Sequence, residues 1–135
     1  TQELVREIFD TQYRPEPDGL CGNDDCGQMS AWYVLSAMGF YPVCPGTDQY
    51  VIGAPYLPYM KLTLENGKEL VIKADKVSDK NRYVKSVKLN GKPYHKAFIG
   101  QQDIMNGGEL TFEMSSQPNK QRIFKGENRP YSLSE

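Results

Sequence analysis

The sequence predicts an α+β fold in which two N-terminal helices precede an antiparallel, β-sandwich-like module. Two observations support this prediction. Apolar residues recur at helical spacing near the start of the chain, whereas from Met60 onward they alternate with polar residues. Asn-Gly pairs, a strong short-range signal for a β-hairpin, follow the alternating segments. The length of 135 residues fits one domain, or a small domain with an appendage.

Residues 3–13 predict the first helix, which is amphipathic. Its apolar face is formed by Leu4, Val5, Ile8 and Phe9, with Glu and Arg between them. The prolines and glycine of YRPEPDG end this helix. The chain has no initiator Met and starts within the helical pattern, so we expect it to be a piece of a longer polypeptide.

Residues 28–38, with the sequence QMSAWYVLSAM, predict the second helix. It is apolar around nearly its whole circumference, so we expect it to be buried on most sides. Asp24, Asp25 or Asn23 can cap its start, and Gly39 suits the position just after its end.

Alternating apolar residues predict strands in three later parts of the chain. The inward-facing residues are Leu62, Leu64, Leu70, Ile72, Ala74, Val87, Leu89, Leu110, Phe112 and Met114. Asn66-Gly67 and Asn90-Gly91 provide the turns of two hairpins. We expect an antiparallel sheet of about five to seven strands with one solvated face.

These patterns divide the chain into three parts. Residues 1–45 form a helical segment with an acidic loop, residues 46–120 a β-rich module, and residues 121–135 a polar tail that we expect to be loose.

Charge and composition exclude several classes of function. Sixteen basic and 17 acidic residues give a net charge of −1, so no global field favours nucleic acid. The lysine-rich residues 61–96 are interpreted as a solvated sheet face. No apolar run is long enough to span a bilayer. Three cysteines exclude a complete disulfide framework, and whether Cys21 and Cys26 pair stays open.

The acidic loop GNDDCG admits three interpretations. A carboxylate can cap the second helix. Asn23, Asp24 and Asp25 can supply hard oxygen ligands to Ca²⁺. One carboxylate can also activate a water in general acid/base catalysis while its neighbour supports it. The residues alone do not decide among these.

Other chemical motifs are weaker. His95 follows a predicted hairpin and is expected on the surface, and Ser30 has no histidine near it in sequence for nucleophilic catalysis. Gly19, Gly22 and Gly27 do not fit the spacing of a phosphate-binding loop.

The segment GNDDCGQMSAWYVLSAMGFYPVCPG resembles the C-terminal end of the calcium-dependent exo-α-mannosidases of glycoside hydrolase family 92. The similarity continues through YVKSVKLNGKPYHKAFI and DIMNGGELTFEM, and covers residues 15–120. It implies that the two helices are the end of an (α/α)₆ barrel, preceded in the same protein by an N-terminal β-sandwich. It also implies Ca²⁺-assisted hydrolysis of terminal mannose, α-1,2-linked in many members, from mannose-containing glycans with inversion. The residues do not indicate a compartment, and by analogy with the family the protein is expected to be bacterial and exported, periplasmic or at the cell surface.

The resemblance also assigns roles within the acidic loop. Asp25 is the first choice for the general base and Asp24 the second. Gly22 and Asn23 are expected to contact the substrate, and Asn23 or Asp24 is a possible metal ligand. The general acid is expected to be a glutamic acid upstream of this chain, so residues 1–135 alone are expected to be inactive.

A second hypothesis comes from a different functional class. The β-rich half is then a non-catalytic carbohydrate-binding or structural accessory module. Tyr50, Tyr56 and Tyr59 would stack on sugar rings, although a role in the core is the simpler interpretation.

Overall fold

The computed structural model describes residues 1–120 and 122–133. Two helices come first, and two sheets with a short third helix follow. The helices are α1 (Gln2–Gln12), α2 (Gln28–Met38) and α3 (Gln101–Asn106). The strands are β1 (Phe40–Tyr41), β2 (Gln49–Ile52), β3 (Tyr59–Thr63), β4 (Glu69–Asp75), β5 (Tyr83–Leu89), β6 (Lys92–Pro93), β7 (Phe98–Gly100) and β8 (Gly108–Ser115). The predicted α+β class is confirmed.

Helix α2 has the predicted bounds, and Gly39 ends it in the left-handed region with φ of +96°. Its N–H donates to the carbonyl oxygens of Leu35 and Ser36. A Cβ at this position would lie 3.1 Å from both the Phe112 Cζ and the Pro55 Cδ atoms. Gly39 therefore allows the end of α2 to approach the sheet closely.

The strands form a three-stranded sheet, β1-β2-β7, and a five-stranded sheet, β3-β4-β8-β5-β6. The predicted hairpins β3–β4 and β5–β6 are present. The expectation of a purely antiparallel sheet is wrong, because β8 runs parallel to β4 and antiparallel to β5. The inner strands of the two hairpins run in opposite directions, so a strand inserted between them must be parallel to one of them.

The core lies on one face of the five-stranded sheet, as the alternation predicts. Leu70, Ile72, Leu110 and Phe112 are fully buried. The opposite face carries cross-strand ion pairs, which confirm the solvated face predicted for the lysine-rich segment. These pairs are Lys61–Glu69, Lys73–Glu109 and Lys85–Glu113.

Helix α1 buries a different face from the predicted one. Phe9 is buried as expected, but Leu4 and Ile8 are exposed while Arg6 is buried. The Arg6 guanidinium lies 4.1 Å from the centroid of the Tyr56 ring. Its Nη2 atom also donates to Asp79 across 2.9 Å. The cation–π contact and the ion pair let the arginine replace aliphatic residues at this interface.

Helix α2 is less buried than its composition predicts. Only Ser36 and Ala37, in its last turns, are buried, and Val34 is 51 % exposed. The last turns pack on the sheet, whereas the first turns are covered on one side by α1 through the contact of Trp32 with Phe9. The expectation of burial on most sides is therefore wrong for the residues described.

The predicted tail is attached to the sheets at two points over residues 122–133. The Ala97 N–H donates to the Asn128 carbonyl oxygen across 2.8 Å, and the Tyr131 N–H donates to Gln49 Oε1 across 2.7 Å. The other tail residues, 121 and 134–135, lie outside the described part of the chain. Within residues 1–120 and 122–133, no helix combines the length and the apolar character that crossing a bilayer requires.

Candidate active site

A closed loop before α2 determines where the acidic residues lie. Tyr13 and Leu20 pair as an isolated antiparallel bridge, and the Arg14 N–H donates to the Gly19 carbonyl oxygen across 2.9 Å. A Cβ on Gly19 would lie only 1.9 Å from the Arg14 carbonyl oxygen, so this close approach requires glycine. The Tyr13 hydroxyl donates to the Met29 carbonyl oxygen across 3.0 Å. The loop is thereby connected to the first turn of α2.

The acidic residues occupy the short connection between this loop and α2. Asp25–Gly27 form one turn of 3₁₀ helix, in which Cys26 has φ of +53° and Gly27 has φ of +81°. Two successive residues in the left-handed region reverse the chain direction. The Asp24 side chain is thereby placed over the N-terminus of α2.

Asp24 caps helix α2. Its Oδ1 atom accepts the Met29 N–H across 2.7 Å and the Ser30 N–H across 3.2 Å. Its Oδ2 atom accepts the Ser30 hydroxyl across 2.5 Å. The hydroxyl bond, followed by the two backbone N–H bonds, lowers the pKa of Asp24 below its ordinary value. The capping prediction is confirmed for this residue.

Asp25 has a different environment, although it is the next residue. It is exposed at the start of the 3₁₀ turn, and its side chain makes no hydrogen bond or ion pair with the described residues. Gly22 and Asn23 are exposed beside it. The structure therefore presents one anchored carboxylate and one carboxylate that is open to solvent.

A cleft of about 510 Å³ adjoins the anchored carboxylate through Ser30. Aromatic and apolar side chains form most of its wall, among them Phe9, Tyr13, Leu20, Tyr33 and Tyr56. Burial, and then electrostatic repulsion from Cys21 and Asp24, raise the pKa of Tyr13. The hydroxyl of Tyr13 is therefore neutral at physiological pH and remains a hydrogen-bond donor to Met29.

Ser30 and Tyr13 are the residues at this site whose contribution the sequence did not reveal. The sequence raises Ser30 only as a nucleophile, yet its hydroxyl fixes the orientation of Asp24. A capping box places its two side chains three residues apart, whereas these two lie six apart because the 3₁₀ turn intervenes. The only available signal was the glycine beside Cys26, which indicates an irregular turn.

The other residues that the sequence singles out lie on the surface or in contacts that support the fold. His95 is exposed, as predicted. The Tyr50 hydroxyl donates to Gln101 Oε1, and Tyr56 packs against Phe9, so both support the fold. Tyr59 is 56 % exposed. The three cysteines are free thiols, so Cys21 and Cys26 are not paired in this structure.

The acidic turn fits a Ca²⁺ site only in part. Ca²⁺ takes six to eight oxygen ligands. Within the described residues, no group of three or more His, Cys, Asp or Glu side chains is arranged to hold a metal ion. Asp24 is already occupied by three hydrogen bonds, which leaves Asn23 and Asp25 as the accessible side-chain oxygens of the turn.

Comparison with known proteins establishes the family. The profile of the glycosyl hydrolase family 92 catalytic domain matches residues 1–116. The chain belongs to glycosyl hydrolase family 92. The resemblance inferred from the acidic loop is thereby confirmed, and the match extends through most of the β-rich residues. An uncharacterized secreted glycosidase of Arthroderma benhamiae is 29% identical over 110 residues, which are 79% of this chain and 14% of that protein.

Solved structures of the family share the fold. A family 92 alpha-mannosidase from Bacteroides thetaiotaomicron, in complex with mannoimidazole, matches 98% of this chain with 45% identity and a TM-score of 0.92. An inverting family 92 mannosidase from the same species matches 99% with 40% identity and a TM-score of 0.89. In both comparisons this family 92 chain spans 18% of the solved chain.

Proposed function

We propose that residues 1–135 are the part of an inverting exo-α-mannosidase that bears its general base. Two solved relatives described as mannosidases, one of them inverting, share 40% or more of their residues with this chain. The proposed substrates are glycans with terminal α-mannose, α-1,2-linked in particular. The chain would act together with an upstream β-sandwich and barrel of the same protein.

The contrast between the two adjacent aspartates supports this proposal most directly. A general base needs a carboxylate that can reach a water and accept its proton. Asp25 meets that requirement because its side chain is exposed and unengaged among the described residues. Asp24 does not, because three hydrogen bonds hold its carboxylate over α2. We therefore assign Asp25 as the base and Asp24 as the residue that holds the turn in place.

Inversion requires two carboxyl groups on opposite sides of the scissile bond, about 6.5–9.5 Å apart. Asp25 would remove a proton from a water, which attacks the anomeric carbon. A carboxylic acid on the other side would protonate the leaving oxygen. Glu3, Glu7 and Glu16 are exposed side chains of α1 and the loop after it, and nothing places them opposite Asp25. We therefore propose that the acid lies elsewhere in the protein and that residues 1–135 alone are inactive.

We also propose that the complete protein uses Ca²⁺. Asn23 would contribute a side-chain carbonyl oxygen, and most ligands would come from other parts of the protein. When bound, Ca²⁺ would help to bind and distort the sugar. Gly22 and Asn23, exposed beside Asp25, are the proposed substrate contacts within this chain.

The proposal is tested with Asp25→Asn in the full-length protein that contains this chain. We expect kcat on an α-mannoside to fall by roughly 10²–10⁴-fold with little change in KM, because the variant keeps the shape and loses the base. Asp18→Asn is the matched control, since Asp18 is also an exposed loop aspartate. Equal activities of the two variants would contradict the assignment.

A further inference from the structure

A second cavity, of about 330 Å³, lies between the β5–β6 hairpin and the tail. Its polar wall includes Lys85, Ser86, His95, Asn119 and Arg122. No aspartate or glutamate lines it among the residues described. It shares no lining residue with the cleft beside Ser30.

Arg122 is the unusual member of this cavity. Its Nη2 atom is shielded from solvent and has no hydrogen-bond acceptor among the described residues. Its guanidinium carbon lies 5.0 Å from the centroid of the Phe124 ring, so one side of the cation contacts an aromatic residue. Burial lowers the pKa of Arg122, and no carboxylate among the described residues opposes that effect. A guanidinium in this state has lost part of its hydration without gaining an anion.

One acid, Glu113, forms hydrogen bonds with two residues of this wall. Glu113 accepts the Lys85 ammonium across 2.7 Å and the Ser86 hydroxyl across 3.0 Å. Among the residues that the structure describes, Lys85 is thus paired with a carboxylate, whereas Arg122 is not. His95 is exposed, and its side chain makes no hydrogen bond within the described residues. Within the described part of the chain, the cavity thus combines one cation that has no paired anion with one available ring N–H donor.

We propose that this cavity binds an oxyanion of the phosphate or sulfate type, with Arg122 as its main ligand and His95 as a second donor. The planar guanidinium fork matches two oxygens of such an anion, and the partly desolvated setting strengthens the charge-assisted bonds. This proposed anion site is separate from the acidic turn, and the proposal does not depend on the proposed hydrolytic function.

The test is a calorimetric titration of the full-length protein with inorganic phosphate at constant ionic strength. Arg122→Gln is expected to weaken binding about tenfold or more, since a charge-assisted hydrogen bond is removed. Arg122→Lys keeps the positive charge but lacks the planar fork of the guanidinium. Its affinity for phosphate is expected to lie between those of the wild type and Arg122→Gln. The matched control is Arg129→Gln, because Arg129 is a tail arginine that does not line the cavity.

Circular dichroism establishes that each variant is folded. If Arg122→Gln does not fold, Arg122→Lys and His95→Asn test the proposed oxyanion site instead. Both variants are expected to bind phosphate more weakly than the wild type. A sulfate titration should give the same order of variants. Absence of saturable binding to the wild type, or equal weakening by the Arg122 and Arg129 variants, would overturn the proposal.

Discussion

The Ser30 hydroxyl donates a hydrogen bond of 2.5 Å to Oδ2 of Asp24, while Oδ1 of the same carboxylate accepts two N–H groups of helix α2. This bond gives the two adjacent acids different environments. Asp24 is held over the helix, and Asp25 is left exposed on the turn that follows. The short connection between the Tyr13–Leu20 bridge and α2 thus positions a solvent-facing carboxylate.

The bond between Ser30 and Asp24 predicts a pH-dependent stability. The folded-state pKa of Asp24 is lowered, with the Ser30 hydroxyl as the largest cause. The resulting stabilisation is complete above the unfolded-state pKa of about 3.9 and is lost as pH falls through the lower folded-state value. We expect Ser30→Ala to lower the free energy of unfolding at neutral pH and to matter less in acid. Urea unfolding at several pH values measures this.

Ser116→Ala is the control for that experiment, because Ser116 is exposed and makes no side-chain hydrogen bond among the described residues. A Ser30→Ala effect of equal size at neutral and acid pH would show that the bond does not act through the charge of Asp24.

The connection of the loop to α2 predicts a second effect. Tyr13→Phe removes the hydroxyl that donates to the Met29 carbonyl oxygen. We expect a loss of about 0.5–1.5 kcal/mol in unfolding free energy. Tyr59→Phe serves as the control, since Tyr59 is mostly exposed and its hydroxyl makes no hydrogen bond among the described residues. Indistinguishable urea midpoints for the two variants would contradict a stabilising role for this hydrogen bond.

Two glycines with similar backbone angles test the packing at the end of α2. Gly39 and Gly46 have φ of +96° and +86°, but only Gly39 has neighbours within 4 Å of the position that a Cβ would occupy. Gly46→Ala should cost roughly 1–2 kcal/mol in backbone strain alone. Gly39→Ala adds a clash with Phe112 and Pro55, for a total of roughly 2–5 kcal/mol. Thermal and urea unfolding measure the difference, and equal losses would refute the close packing.

Much of the fold follows from local patterns in the sequence. The Asn66-Gly67 and Asn90-Gly91 turns occur in the hairpins that they predict. The position of β8 between those hairpins cannot be predicted from the sequence pattern. The alternation of apolar and polar residues shows which face of a strand is buried but not which strand lies next to it. The burial of Arg6 was likewise not predicted, since it depends on Tyr56 and Asp79, which are distant in sequence.

The candidate site was only partly predictable for the same reason. The GNDDCG segment indicated that acids and a helix start occur together. It did not show which acid caps the helix, because that depends on the left-handed conformations of Cys26 and Gly27. The different surroundings of Asp24 and Asp25 are visible only in the three-dimensional structure of the turn.

The incomplete ligand set of the acidic turn predicts how the protein responds to chelators. We expect EDTA to reduce mannoside hydrolysis by the full-length protein and added Ca²⁺ to restore it. Residues 1–135 alone should bind Ca²⁺ weakly, since within the described residues no group of three or more His, Cys, Asp or Glu side chains is arranged to hold a metal ion. Calorimetry on both proteins tests this, and tight Ca²⁺ binding by residues 1–135 alone would contradict it.

The most direct test of the central claim uses Asp25→Ala and Asp24→Ala in the full-length protein, each assayed with and without sodium azide. Azide attacks the anomeric carbon without a base to remove a proton, so it can replace the activated water. We predict that azide raises the rate of Asp25→Ala, giving β-mannosyl azide, and does not rescue Asp24→Ala. Rescue of Asp24→Ala alone, or wild-type hydrolysis by Asp25→Ala, would contradict the assignment of Asp25 as the base.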